Sequence, residues 1–70
     1  MTEVRADITA SVWKVNVEVG QQVAANDELV VLESMKMEIP VVAPIAGTVS
    51  AVLVAAQDQV AEGAVLVTLA

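Results

Sequence analysis

The amino-acid sequence predicts an all-β domain made of two similar four-stranded halves packed face to face. Three observations predict it. Sixteen of the 70 residues are valine, whose branched Cβ stiffens χ1 and suits a pleated strand better than a helix. No ten-residue stretch repeats apolar side chains at the 3.6-residue spacing of an amphipathic helix. The chain also repeats itself: residues 6–33 laid on 43–70, an offset of 37, are identical at 11 of 28 positions. The matches are mostly apolar, such as Ile8 with Ile45, Val12 with Val49, Val17 with Val54, Leu29 with Leu66 and Leu32 with Leu69. Gln22-Val23-Ala24 on Gln59-Val60-Ala61 extends the match to a polar residue. The two halves therefore place core side chains at equivalent positions.

Each element has its own local reason. Trp13 to Val19 alternates apolar and polar without a break, the pattern of a half-buried strand. Its counterpart, Val49 to Val54, is apolar on both faces and is expected to be more enclosed. Leu29 to Leu32 and Val65 to Leu69 are short strands that match each other, and Met37 to Val42 is another. Gly20 and Asn26-Asp27 punctuate the first half, Gln57-Asp58 and Gly63 the second. The polar runs before Leu29 and Leu66 read as loops. Pro40 and Pro44 bracket the crossover between halves, and a proline there points to an edge strand or a strand end.

Seventy residues make one domain, 1–70, near the lower limit at which a single core suffices. With no Cys and no His, thiolate and imidazole metal sites, disulfides and most nucleophilic or general-base machinery are excluded. The net charge is −6, from nine acids against Arg5, Lys14 and Lys36. Without a basic patch or an aromatic platform, nucleic-acid binding is not expected, and an anionic membrane surface would repel the chain. The longest unbroken apolar run is six residues, Ala51 to Ala56, against about 20 for a membrane span. Glu3, Arg5 and Asp7 leave no apolar signal core near the start. A cytoplasmic location is expected.

The segment Glu33-Ser34-Met35-Lys36-Met37-Glu38 interrupts the repeat, and an insertion of that kind is where function is often carried. The flanking strands leave room only for a tight turn with Met35-Lys36 at its centre. Two-residue turns favour Asn-Gly or Asp-Gly, for which positive φ is cheap. Met and Lys are poor choices there, and two thioethers at an exposed tip break surface polarity as well. The bland alternative is a solvated lysine paired with Glu33 or Glu38 between methionines that pack on the core. The combined departure from turn chemistry points instead to a purpose other than folding.

This hexapeptide resembles the biotin-attachment motif of biotin-dependent carboxylases. Gly20 to Leu29 and Ala43-Pro44-Ile45-Ala46-Gly47-Thr48-Val49 resemble the family's flanking segments, so the resemblance spans the chain. Asn26 and Gln57 stand where the family usually has Gly, and there is no room for the protruding thumb loop of some acetyl-CoA carboxylase carriers. The resemblance implies a flattened β-barrel, a barrel-sandwich hybrid of two quasi-symmetric sheets, with the modified lysine on a hairpin tip opposite the termini. It implies that Lys36 takes biotin in amide linkage from a biotin protein ligase, with Met35 and Met37 as the flanking motif. It further implies a non-catalytic carboxyl carrier that serves biotin carboxylase and carboxyltransferase components. A lipoyl carrier would use the same fold and lysine, but usually with Asp before it and Ala after it. An unmodified β-sandwich serving as an interaction module is a further alternative, and it would have no need of Met-Lys-Met.

Overall fold

A computed structural model describes residues 1–70. Eight strands and no helix are present: β1 (Thr2–Arg5), β2 (Ala10–Val15), β3 (Gln22–Val23), β4 (Glu28–Ser34), β5 (Met37–Val42), β6 (Gly47–Val52), β7 (Gln59–Val60) and β8 (Val65–Leu69). They form two four-stranded sheets of order β1-β8-β6-β3 and β5-β4-β2-β7, with every pairing antiparallel. With no helix, there is none long and apolar enough to cross a membrane. The all-β expectation of two four-stranded layers holds. The boundary between sheets is not the boundary between halves, however: each sheet takes two strands from residues 1–34 and two from residues 37–70. The halves therefore interleave, and neither has a complete sheet of its own.

The offset of 37 governs the backbone as well as the sequence. Val12 faces Leu32 and, after a bulge, Lys14 faces Val31; Val49 faces Leu69 and, after a bulge, Ala51 faces Thr68. Gln22 pairs with Thr48 as Gln59 pairs with Ser11. Gly20 N–H donates to the Val49 carbonyl at 2.8 Å, and Gln57 N–H to the Val12 carbonyl at 2.7 Å. Asn26 N–H donates to Ala43 and Gly63 N–H to Ala6, both at 2.8 Å. The core obeys the same relation. Its largest fully buried side chains are Leu29, Leu32, Leu66, Leu69, Val12, Val30, Val49 and Val67, which are four pairs at the repeat offset. Branched aliphatic side chains on the pleat fill the space between the sheets from both halves alike.

Two strand expectations need correction. The alternation from Trp13 to Val19 does not form one strand, because β2 ends at Val15. A bulge between Val12 and Lys14 turns Trp13 outward, where it is 45% exposed, and Val19 lies exposed in the following turn. A bulge places two residues opposite one, so the two-residue period fails at that point. Val49 to Val54 is also less enclosed than its composition suggests: β6 ends at Val52 and Leu53 is 56% exposed. The polar runs before Leu29 and Leu66 are mostly loop, but each contributes a two-residue strand, β3 or β7. Pro40 lies on β5, which is an edge strand, so its missing N–H interrupts no ladder.

The turn glycines explain the departures at 26 and 57. Gly20 (φ 93°) and Gln57 (φ 77°) are repeat mates, as are Asn26 (φ 74°) and Gly63 (φ 87°). The loop at Gln57 therefore keeps the left-handed turn of its mate without the residue type that makes it easy. Asn26 tolerates this region better, through its short polar side chain. Gln57→Gly should consequently stabilise the domain by roughly 0.5–1 kcal/mol, since relief of strain exceeds the added freedom of the unfolded chain. Thermal denaturation checks this: the midpoint should rise by a few degrees, and an unchanged or lower midpoint contradicts it.

Candidate functional site

The β4–β5 hairpin presents the lysine. Ser34 pairs with Met37, Glu33 with Glu38 and Leu32 with Ile39, leaving Met35 and Lys36 alone in the turn. Both have positive φ, 52° at Met35 and 65° at Lys36, the backbone signature of a type I′ turn. That turn matches the right-handed twist of the strands it joins and holds its two central residues outward. The tip is anchored from below, where Leu29, Val30, Val31 and Leu32 of β4 are all buried. Stiffness at the tip thus comes from core burial a few residues away.

Every candidate residue is exposed. Met35 is 92% exposed, Met37 is 64% exposed, and Lys36 is likewise exposed. The methionines do not pack on the core. Lys36 pairs with neither Glu33 nor Glu38, and the ion pair in the structure joins Arg5 and Glu3. Glu33 and Glu38 face each other across the ladder, where like charges repel. The lysine amine is therefore free in solvent, on a defined turn, flanked by two thioethers and an acidic pair. Such an amine fits acylation by a second protein that approaches a convex tip. No group of three or more acids that would hold a metal ion is present.

The tip lies at the opposite end of the long axis from the chain ends. Under the repeat, β4 corresponds to β8 and β5 to β1, and the place matching the Met35-Lys36 turn is beyond the Thr2–Leu69 pair. The molecule measures 31 × 17 × 17 Å, so the lysine projects far from the termini.

One neighbouring feature went unread in the sequence. Ser11, Val12, Trp13, Glu33, Ala56 and Gln57 line a cleft of about 370 Å³ that begins at the base of the hairpin. Trp13 borders it because of the β2 bulge, and the Lys14 Nζ lies 4.9 Å from the centre of its ring. Periodicity assigned Trp13 to the interior. The signal that identifies the cleft is comparison of the halves: Trp13, Glu33 and Gln57 have Ser50, Ala70 and Gly20 as mates.

The turn chemistry yields a test. Replacing Met35-Lys36 by Asn-Gly should raise stability by about 1–2 kcal/mol, because both residues then suit positive φ. A higher denaturation midpoint is the expected result; a lower one would mean that Met35 or Lys36 contributes contacts to the folded state.

Comparison with known proteins agrees with this geometry. A family profile described as biotin-requiring enzyme matches residues 1–69. The biotinylated protein TB7.3 homolog of Mycobacterium leprae is 54% identical over 61 residues, 87% of this chain and 86% of that protein. The biotin/lipoyl attachment protein of Bacillus subtilis is 44% identical over 66 residues, 94% of this chain and 90% of that protein. Among solved structures, the urea carboxylase of Kluyveromyces lactis superposes with a TM-score of 0.93 at 29% identity. The match covers 99% of this chain and 6% of that one. The interleaved sheets, the lysine hairpin and these likenesses agree, and the chain belongs to the biotin/lipoyl attachment domain family.

Proposed function

We propose that these 70 residues form one non-catalytic carrier domain, biotinylated on Lys36, that serves a biotin-dependent carboxylase in the cytoplasm. The observation that carries this reading is the Met35-Lys36 turn. Two residues ill suited to positive φ occupy a fully exposed type I′ turn, with the amine unpaired. Folding alone would favour Asn-Gly there. Met on both sides of the lysine favours biotin over lipoate, whose domains usually have Asp and Ala at those places.

The chain's own part is limited to binding and presentation. Lys36 Nζ, as the neutral amine, attacks the acyl carbon of biotinyl-adenylate presented by a biotin protein ligase; the amide C–N bond forms as the acyl–phosphate bond breaks, AMP leaves, and the amine proton passes to solvent. When bound, biotin supplies a ring nitrogen that accepts and releases a carboxyl group. The type I′ turn holds the lysine clear of both sheets, so the ligase reaches the amine without rearranging the ladder. The small rigid domain keeps the tethered group at high local concentration near successive active sites, those of biotin carboxylase and carboxyltransferase. No side chain here need supply an acid, base or metal ligand. Lys14, the other lysine, lies in β2 against a sheet surface with its backbone committed to the ladder, and should remain unmodified.

Co-expression with a biotin ligase and intact-mass measurement test the reading. One biotin increment is expected, placed on Lys36 by peptide mapping; a lipoyl increment or none would overturn it. Lys36→Arg should abolish the increment while keeping stability within about 0.5 kcal/mol, as for other exposed substitutions. Replacing both Met35 and Met37 by Ala should leave the fold and the attachment intact but lower turnover with the partner carboxylase. Loss of attachment with normal transfer by the residual modified fraction would reverse that division of labour.

A further inference from the structure

Two-fold mates should carry similar residues wherever folding alone decides, so the places where they diverge report on something else. The cleft beside the hairpin is such a place. Trp13 is the sole aromatic residue of the chain, and its mate Ser50 bonds to Thr68, with the two hydroxyl oxygens 2.6 Å apart. A serine satisfied against the neighbouring strand is the structural solution at that bulge; an exposed indole is not. Glu33 and Gln57 replace the small mates Ala70 and Gly20, and Gln57 keeps its place despite a positive φ. The strain at Met35, Lys36 and Gln57 thus gathers at one end of the molecule, as strain at a working site does.

We infer that this cleft is a resting site for the acyl arm carried on Lys36, with Trp13 as its apolar wall. The inference rests on the reading of Lys36 as the biotinylated residue. The ligand class is a compact bicyclic urea with a thioether ring. Its hydrocarbon and sulfur surface suits the indole and Ala56. Its two urea N–H groups suit the Glu33 carboxylate, and its carbonyl suits the side-chain amide of Gln57 or the hydroxyl of Ser11. Neither Glu33 nor the Gln57 side chain has a partner within the protein. The Lys14 ammonium over the indole steadies that wall by a cation–π contact.

The reach is sufficient. Glu33, at the mouth of the cleft, lies two ladder steps below Lys36, about 7 Å along the strands, and Ser11 is two strand spacings from β5, about 10 Å across. Lysyl side chain and five-carbon acyl chain together extend roughly 14 Å. The cleft volume of about 370 Å³ lies within the range of small-ligand sites. Tethering supplies an effective concentration in the mM range, so a dissociation constant of the same size half-fills the site.

The single tryptophan is the reporter. Acrylamide quenching of Trp13 fluorescence is compared between the unmodified chain and the chain shown by mass to hold one biotin. Half-filling predicts a quenching constant lowered about twofold on modification. In the modified Gln57→Gly chain, at least half of the lost quenching should return. An unchanged constant in the singly modified wild-type chain overturns the inference, and full protection in the Gln57→Gly chain overturns the assigned lining. Should the ligase add nothing, the proposed function fails, and a titration of the unmodified chain with free biotin amide at mM concentration still decides the cleft. A shift of the Trp13 indole N–H resonance supports the site; no shift overturns it.

Discussion

Everything in this molecule depends on four mated pairs of aliphatic side chains meeting between two sheets. Leu29 with Leu66, Leu32 with Leu69, Val12 with Val49 and Val30 with Val67 are all essentially sealed from water. A 70-residue chain without disulfide or metal has no other source of cohesion of comparable size. Because the sheets exchange strands between halves, neither half can bury its own share alone. The interleaving converts two weak sequence repeats into one cooperative core. It also leaves the β4–β5 turn and the β2 bulge at the surface, and that is where the chain departs from its own symmetry.

The β4–β5 hairpin is the main departure. The core holds β4 along four consecutive buried residues, so the turn beyond it tolerates residues that its backbone disfavours. A domain this small has little stability to spare. It nevertheless keeps three side-chain-bearing residues at positive φ, Met35, Lys36 and Gln57, where a glycine or asparagine would fit better. Backbone preference and residue choice therefore pull in opposite directions at one end of the molecule. At the other end Gly20 occupies the place that Gln57 occupies here.

What was legible in the sequence follows from this division. The strands Met37–Val42 and Val65–Leu69 are found where the sequence places them, because both are bounded by turn residues. The Met35-Lys36 turn was legible because the flanking strands left only two residues between them. Trp13 was misread because a bulge shifts the face of a strand without any mark in composition, and Val19 because β2 ends at Val15 and leaves it in the following turn. The strands β3 and β7 were read as loops since two residues are too short to show a period. β1 escaped notice because only Val4 of its four residues is buried. The exchange of strands between sheets was invisible as well, since periodicity reports which face is buried and not which neighbour supplies the ladder.

The same logic separates residues that serve the fold from residues that serve a partner. At the mated positions Leu29/Leu66, Leu32/Leu69, Val12/Val49 and Val30/Val67, the core accounts for the choice. Where the mates differ and the larger residue is exposed, the core does not account for it. Trp13 against Ser50 is the clearest case, because the serine shows how the bulge is satisfied when nothing further is asked of it. A quasi-symmetric domain thus lets one half be read against the other. Trp13, Glu33 and Gln57, all beside the hairpin, differ from mates that satisfy the same backbone without them.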